Sequence, residues 1–317
     1  MANPRKPRCG SMQFWHRKRA KSEIARIRYW APSKEAKLLG FAGYKVGMVH
    51  VAFEDQRDRS MTKGKVISWP ATIIECPPLT AFSIKFYKNH KSVSQVFADK
   101  LDKHLERAMK LTKQKKTIND IKEDMFDELK LIVHTNPSMA KFGKKKPEIF
   151  EMNLGGKKED KFKAAKELLG KEIKIKDVLR TGQLVDVHAI SKGYGFQGPV
   201  KRFGVAIRSH KAEKTKRGPA SLGGWRGQGH VMYRVAHAGQ MGYHQRTEYN
   251  KQILKIDDKA ENINPKSGFI HYGLVKNSYI LVKGSVIGSK KRLIRINNAI
   301  RPDKLVKEAD YNVRVIQ

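Results

Sequence analysis

The chain has 317 residues, of which 66 are Lys or Arg and 30 are Asp or Glu, a formal net charge of +36. Such a balance destabilises a compact fold unless a polyanion neutralises it, and a nucleic acid is the natural counter-charge. The apolar runs are too short and interrupted for a membrane span of about 20 residues, so no membrane partner is expected. Two cysteines, Cys9 and Cys76, are too few for a disulfide framework and fit a reducing cytoplasm. The opening MANPRKPRCGSMQFWHRKRAK lacks the apolar stretch of a secretion signal.

In chain order, residues 1–38 read as an extended arm. They are rich in Arg and Lys, with Phe14, Trp15, Tyr29 and Trp30 interleaved. With few apolar groups to offset the entropy of ordering, the arm is expected to order on RNA. Segments 41–53 and 70–87 are β-branched and aromatic and read as strands, the second split by Pro77-Pro78, which cannot donate to a central ladder. The middle changes character. In 99–114, Leu101, Leu105, Ala108 and Met109 share a helical face. Segment 117–134 opens with a capping-box pattern at Thr117 and Asp120, and Ile118, Ile121, Met125, Leu129 and Ile132 follow at helical spacing. Segment 157–169 gives Phe162, Ala165, Leu168 and Leu169, with Gly170 as the stop. Strands resume where Val185, Val187 and Ala189 alternate with Asp186 and His188, and 268–284 reads as a hairpin turning near Lys276-Asn277-Ser278. Helix does not alternate regularly with strand. The pattern therefore favours a small antiparallel barrel with insertions over a doubly wound sheet.

The placement of acids is more informative than their total. Residues 1–50 carry 12 Lys or Arg and only Glu23 and Glu35, a net +10. Residues 187–256 carry 13 and only Glu213 and Glu248, a net +11. The other 197 residues hold 26 of the acids. A generic soluble surface mixes both signs; removing carboxylates is what a segment lying among phosphates requires. Residues 205–250 contain seven glycines, which permit close backbone approach, and Trp225, a ring suited to stacking on a base. The candidate nucleic-acid contacts are Arg17, Lys18 and Arg19 in the arm, Lys192, Lys201 and Arg202 around a tight glycine turn, and a third group in the loop. That group is His210, Lys211, Lys214, Lys216, Arg217, Trp225, Arg226, His230, Arg234, His237, His244 and Arg246.

Other chemistries fit poorly. Gly193, Gly195 and Gly198 match a dinucleotide fingerprint, with Glu213 about 20 residues on. That site needs a helix N-terminus at the pyrophosphate, whereas Pro199 and the stretch 200–205 read as extended and basic. The four loop histidines lack the cysteines or close His pairs of a zinc site and an orienting carboxylate for acid–base work. No catalytic residue, metal or cofactor is expected.

Several stretches together resemble the family of universal ribosomal large-subunit protein three, in its archaeal form. They include Gly10-Ser11, Arg17-Lys18-Arg19-Ala20, the run from Leu39 to Met48 (LGFAGYKVGM) and Glu75-Cys76-Pro77-Pro78. They continue with Lys192 to Gly198 (KGYGFQG), Lys201-Arg202-Phe203-Gly204, Gly239-Gln240-Met241-Gly242, His271-Tyr272-Gly273 and Lys283-Gly284-Ser285-Val286. The resemblance covers nearly the whole chain. It implies an α+β fold: an antiparallel translation-factor-like β-barrel with a helical insertion and long basic extensions. The arm would be 1–38, the barrel 39–90, 172–204 and 255–317, the helical insertion 91–171, and the basic glycine-rich loop entering rRNA 205–254. The implied role is that of a structural constituent of the large subunit. It would bind large-subunit rRNA near its 3′ end, help to start assembly, and approach the peptidyl transferase region through the loop. The implied neighbours are large-subunit protein fourteen and the eukaryote-type protein twenty-four, and the implied location is the cytoplasmic ribosome. At the loop tip Gly224-Trp225-Arg226-Gly227 replaces the family's usual Pro-Trp-His-Pro, and Lys216 stands where eukaryotic relatives carry a methylated histidine. A chromatin-type binder would instead bind many duplexes without preference, and an RNA-modifying enzyme would require a cofactor loop or convergent carboxylates.

Overall fold

The computed structural model describes residues 11–57, 60–110, 116–121, 123–219, 221–224, 229–304, 306 and 311–316. The architecture is α+β, mostly antiparallel sheet with few helices. The chain divides into two compact units. The smaller joins Met1–Ser22 to Ile190–Gln245, and the larger joins Glu23–Ala189 to Arg246–Gln317.

The strands are β1 (Gly40–Glu54), β2 (Val66–Glu75), β3 (Leu79–Lys88), β4 (Lys91–Phe97), β5 (Glu128–Thr135), β6 (Ile149–Asn153), β7 (Glu172–Ile173), β8 (Leu184–Ile190), β9 (Gly193–Gln197), β10 (Gly239–Gly242), β11 (Gln245–Asp257), β12 (Tyr279–Lys283), β13 (Leu293–Asn298) and β14 (Arg314–Ile316). Among the described residues three short helices accompany them: α1 (Pro137–Ala140), α2 (Lys158–Leu168) and α3 (Pro199–Phe203). Seven strands run in the order β13-β8-β11-β12-β2-β1-β14, and β13 also pairs with β1, so the order returns on itself. Strand β1 makes this possible by its length. Its first half, Gly40–Tyr44, pairs with β13, its second half reaches β14, and β2 lies along its other edge. The approach to β13 requires glycine, because a Cβ on Gly40 would lie 2.2 Å from the Ile296 carbonyl oxygen. A second sheet has the order β4-β3-β5-β6, with β7 added to β3. Pro77-Pro78 falls between β2 and β3, where the chain leaves one sheet for the other.

All seven residues of β8 are buried, including the polar ones of its alternating pattern. Each finds a partner, as burial demands. Asp186 accepts hydrogen bonds from the backbone N–H of Asn250 and Ile300, both at 2.9 Å. The His188 ring lies 2.7 Å from Asn297 Oδ1 and 2.9 Å from Thr247 Oγ1. Burial holds its pKa below the ordinary value.

Four local expectations are corrected. Segment 99–114 is helical only as a 3-10 turn at Lys103–Arg107 among its described residues. Segment 117–134 begins with the expected Thr117–Asp120 cap, Thr117 N–H donating to Asp120 Oδ2 at 2.8 Å, but then becomes β5. There Leu131 to Thr135 are buried in succession, because β5 lies between β3 and β6 with both faces covered. Of the expected helical insertion, α2 is the one multi-turn helix among the described residues, its Phe162 packed on Phe86 and Phe126. Segment 268–284 is not a hairpin: only β12 is strand, and 268–278 folds over Glu75 instead. Finally, 200–205 is not extended. Residues 199–203 form α3, with Pro199 at its start and Gly204 left-handed (φ 70°) at its end.

The arm has no strand or α-helix over 11–38 beyond a 3-10 turn at Met12–Phe14 and a single bridge from Leu38 to Leu154. Its second half nevertheless belongs to the larger unit and packs within it. Ala25 is fully buried, and its carbonyl accepts from Arg295 Nη1 at 2.9 Å. Trp30 lies over the same guanidinium at 5.8 Å.

Glu75 organises the loop that replaces the hairpin. Its carboxylate, fully buried, accepts from Tyr272 Oη (2.5 Å), the N–H groups of Lys276 and Asn277 (2.9 Å each) and Asn277 Nδ2 (2.7 Å). Glu75→Ala leaves four donors without their acceptor and is expected to cost about 3 kcal/mol or more, whereas Tyr272→Phe removes one of the four and should cost about 1 kcal/mol. Urea denaturation of the two variants checks the order; equal losses would show that the loop does not depend on the carboxylate.

Candidate nucleic-acid interface

The smaller unit gathers the acid-poor segments. Its 78 residues hold 17 Lys or Arg and a single acid, Glu213, a net +16. The larger unit holds 49 Lys or Arg against 29 acids. Segments far apart in sequence thus form one body of almost a single sign.

Its frame is the ribbon of β9 and β10, with Gly239 opposite Gln197, Gln240 opposite Phe196 and Met241 opposite Gly195. The register shifts at Gly242, which has φ of 72° and whose Cβ would stand 2.0 Å from the Lys192 carbonyl oxygen. Helix α3 follows β9 and places Arg202 against the ribbon. Arg202 donates from Nε to the Gln240 carbonyl (3.1 Å), from Nη1 to that of His237 (2.9 Å) and from Nη2 to that of Arg17 (3.3 Å). Burial, and then the neighbouring Arg17 charge, pushes its pKa below the ordinary value. It acts as an internal clamp across three chain segments.

Residues 15–20 of the arm dock on the same frame. Trp15 stacks on Phe203 at 5.1 Å with planes 14° apart, and Tyr233 meets its edge. The Arg17 guanidinium lies over Phe203 at 4.9 Å and that of Arg19 over Tyr243 at 5.2 Å. Ala20 N–H donates to the Tyr243 carbonyl at 2.8 Å. His244 is buried, its Nδ1 2.9 Å from the Lys18 carbonyl oxygen. A cleft of about 270 Å³ results, lined by Arg17, Ser191, Lys192, Tyr194, Arg202 and His244 among others. At its edge the ammonium groups of Lys192 and Lys201 lie 5.7 and 5.4 Å from the centre of the Tyr194 ring.

The residues singled out in the sequence therefore separate into groups. Arg17, Lys192, Arg202 and His244 converge on the cleft, Lys201 joins them through Tyr194, and Lys18 and Arg19 are exposed beside it. His210, Lys211, Lys214, Lys216 and Arg217 are exposed on a segment whose described residues form only turns and bends, and His230, Arg234 and His237 are exposed beyond it. Arg246 stands on β11 and belongs to the larger unit. Trp225 and Arg226 lie outside the described residues. Residue typing missed the rings that position the cations, namely Tyr194, Phe203, Tyr233 and Tyr243. Their signal was present as aromatics directly beside basic residues in Lys201-Arg202-Phe203 and Tyr243-His244.

Among the described residues no helix is long and apolar enough to cross a membrane. A cationic body with its charges arrayed on carbonyls and rings belongs to the class of RNA-associated structural proteins. The model of the family described as ribosomal protein L3 matches residues 1–315, and the chain belongs to that family. It is 44% identical to the large ribosomal subunit protein uL3 of Methanocaldococcus jannaschii over 314 residues (95% of this chain, 93% of the relative). It is 45% identical to that of Methanobrevibacter smithii over 317 residues (96% and 94%) and 42% identical to that of Archaeoglobus fulgidus over 309 residues (94% and 93%). It is accordingly a structural ribosomal protein of archaeal type and not an enzyme.

If Arg202 is the clamp of this unit, Arg202→Ala should speed amide hydrogen exchange in 15–20 and 239–242 by about tenfold or more, the equivalent of losing about 1.4 kcal/mol or more of local stability. Lys211→Ala, on the exposed loop, should leave both segments unchanged. Unaltered exchange in Arg202→Ala would remove the clamp role.

Proposed function

We propose that the chain is a primary binder of large-subunit rRNA near its 3′ end, that it helps to start subunit assembly, and that the loop 205–254 enters the rRNA and supports the peptidyl transferase region. The observation that carries this reading is the smaller unit, with 17 basic residues and one acid in 78. Such a surface suits phosphate and repels other cationic surfaces. The exposed Lys211, Lys214, Lys216 and Arg217 extend it along the loop, with His210, His230 and Arg234, and Trp225 is the loop's ring for contact with a base. On this reading Arg17, Lys18, Arg19, Lys192 and Lys201 contact phosphate, while Arg202, His237 and His244 shape the surface that does so.

The closed order of strand pairings β13-β8-β11-β12-β2-β1, with β13 back on β1, supports a translation-factor-like barrel interrupted by 91–171. The neighbours in the subunit are, from the family resemblance, large-subunit protein fourteen and the eukaryote-type protein twenty-four.

Binding to transcribed large-subunit rRNA should weaken steeply with salt. Replacing Arg17, Lys18 and Arg19 together by Gln should lower the slope of log K against log salt by about 2–3, from roughly 0.7–0.9 per phosphate contact. An unrelated duplex should not compete at equal concentration. An unchanged slope, or full competition, would exclude this cluster or the rRNA preference respectively.

A further inference from the structure

We propose that Phe196, with Lys192 and Lys201, forms a subsite for a single unpaired rRNA nucleotide, the base stacked on the phenyl ring and its phosphate held by the two ammonium groups. The inference rests on the rRNA-binding reading above and adds to it the form of RNA recognised.

One exposed ring is ordinary on a protein surface. Phe196 is distinguished by its surroundings. It is 77% exposed, whereas neighbouring rings among the described residues of the unit are engaged: Phe203 by Trp15, Arg17 and Arg202, Tyr243 by Arg19, and Tyr194 by Lys192 and Lys201. The backbone that carries it is held on both sides. Phe196 pairs with Gln240 in the ribbon, and Gln197 Nε2 donates to the Tyr194 carbonyl at 2.8 Å. The ring is thus presented from a fixed strand, and little ordering remains to be done on binding.

The lysines stand at the right reach. Phe196 lies two positions after Tyr194, at most about 7 Å along any backbone, which is the scale of one nucleotide from its phosphate to its base. Lys192 precedes the strand and Lys201 returns from α3, and both converge on Tyr194. The unit's charge favours a phosphate-bearing partner over an apolar one. A base within an A-form helix offers no free face, since its neighbours cover it and the deep groove excludes side chains. The ring therefore selects a base turned out of the helix, in a loop, bulge or junction.

The test uses the full chain and filter binding to transcribed large-subunit rRNA. Phe196→Ala and Phe196→Leu should each weaken binding by roughly 5- to 150-fold, the range for loss of one base–ring stack, with the salt slope unchanged. Phe196→Trp, which restores a π face, should bind tightly. The pair Lys192→Gln and Lys201→Gln should weaken binding and flatten the slope. Because Phe196 is exposed, these variants should fold, and circular dichroism checks that they do. Binding by Phe196→Leu equal to that of the native chain would overturn the subsite, since leucine keeps the apolar surface and lacks the stacking face. The Arg17, Lys18 and Arg19 triple variant separates the two levels of the argument. If it weakens binding while all Phe196 variants do not, the subsite alone fails; if it too has no effect, the interface reading fails. A photoreactive benzoyl-phenylalanine at position 196 should crosslink to an unpaired nucleotide in assembled subunits. A crosslink to a neighbouring protein instead would overturn the proposal.

Discussion

Like-charge repulsion within the smaller unit is the constraint on which the rest of that unit depends. Two unit charges 10 Å apart repel by roughly 1–2 kcal/mol at an effective dielectric constant of 20, and 17 cations share 78 residues with one carboxylate. Ordinary folds relieve this with ion pairs. Here the cations are arrayed on neutral acceptors. Arg202 donates to three backbone carbonyls, Arg17 and Arg19 lie over Phe203 and Tyr243, and Lys192 and Lys201 face Tyr194. Carbonyl dipoles and ring faces position a charge without cancelling it. The surface keeps its positive sign while its side chains are held in place.

The larger unit solves its problem the opposite way, with buried carboxylates as organising acceptors. Glu75 gathers 272–277, and Asp186 receives the N–H groups of Asn250 and Ile300. Asp55 accepts from Arg57 Nε and Nη2 in a bidentate pair, at 2.8 Å each, and from Thr62, and these bonds hold its pKa well below the usual carboxylate range. Each fastens a loop to a strand where backbone pairing ends. A buried carboxylate accepting two or more N–H bonds is stable and specific. The same group in the smaller unit would cancel part of its positive charge. The two units thus hold their loops and side chains by opposite means, one with buried carboxylates and the other with carbonyls and rings.

The readable and unreadable parts of the fold divide along a physical line. Helix α2 was legible because its apolar residues keep a 3.6-residue period up to a glycine stop at Gly170. Strand β5 was not, because Leu129 and Ile132 also fit that period, and a strand buried on both faces loses the alternation that would identify it. The hairpin expected at 268–284 was missed for a different reason. Its conformation answers to Glu75, some 200 positions away, and no local pattern encodes that partner. Arg202 was legible as basic and near the interface, but its role as a clamp was not.

The sign of the surface, the segments that carry it, the strand-rich composition and the family can all be read from residue order alone. Charge is a sum over residues and needs no geometry, and the family motifs are runs of neighbours. Which cations face outward and which are held is settled by the folded chain. That depends on contacts of 3 to 6 Å between groups as distant in sequence as Arg17 and Arg202, 185 positions apart. Hydrogen bonds and ring contacts vanish beyond such distances, so they exist only once the fold has brought the segments together.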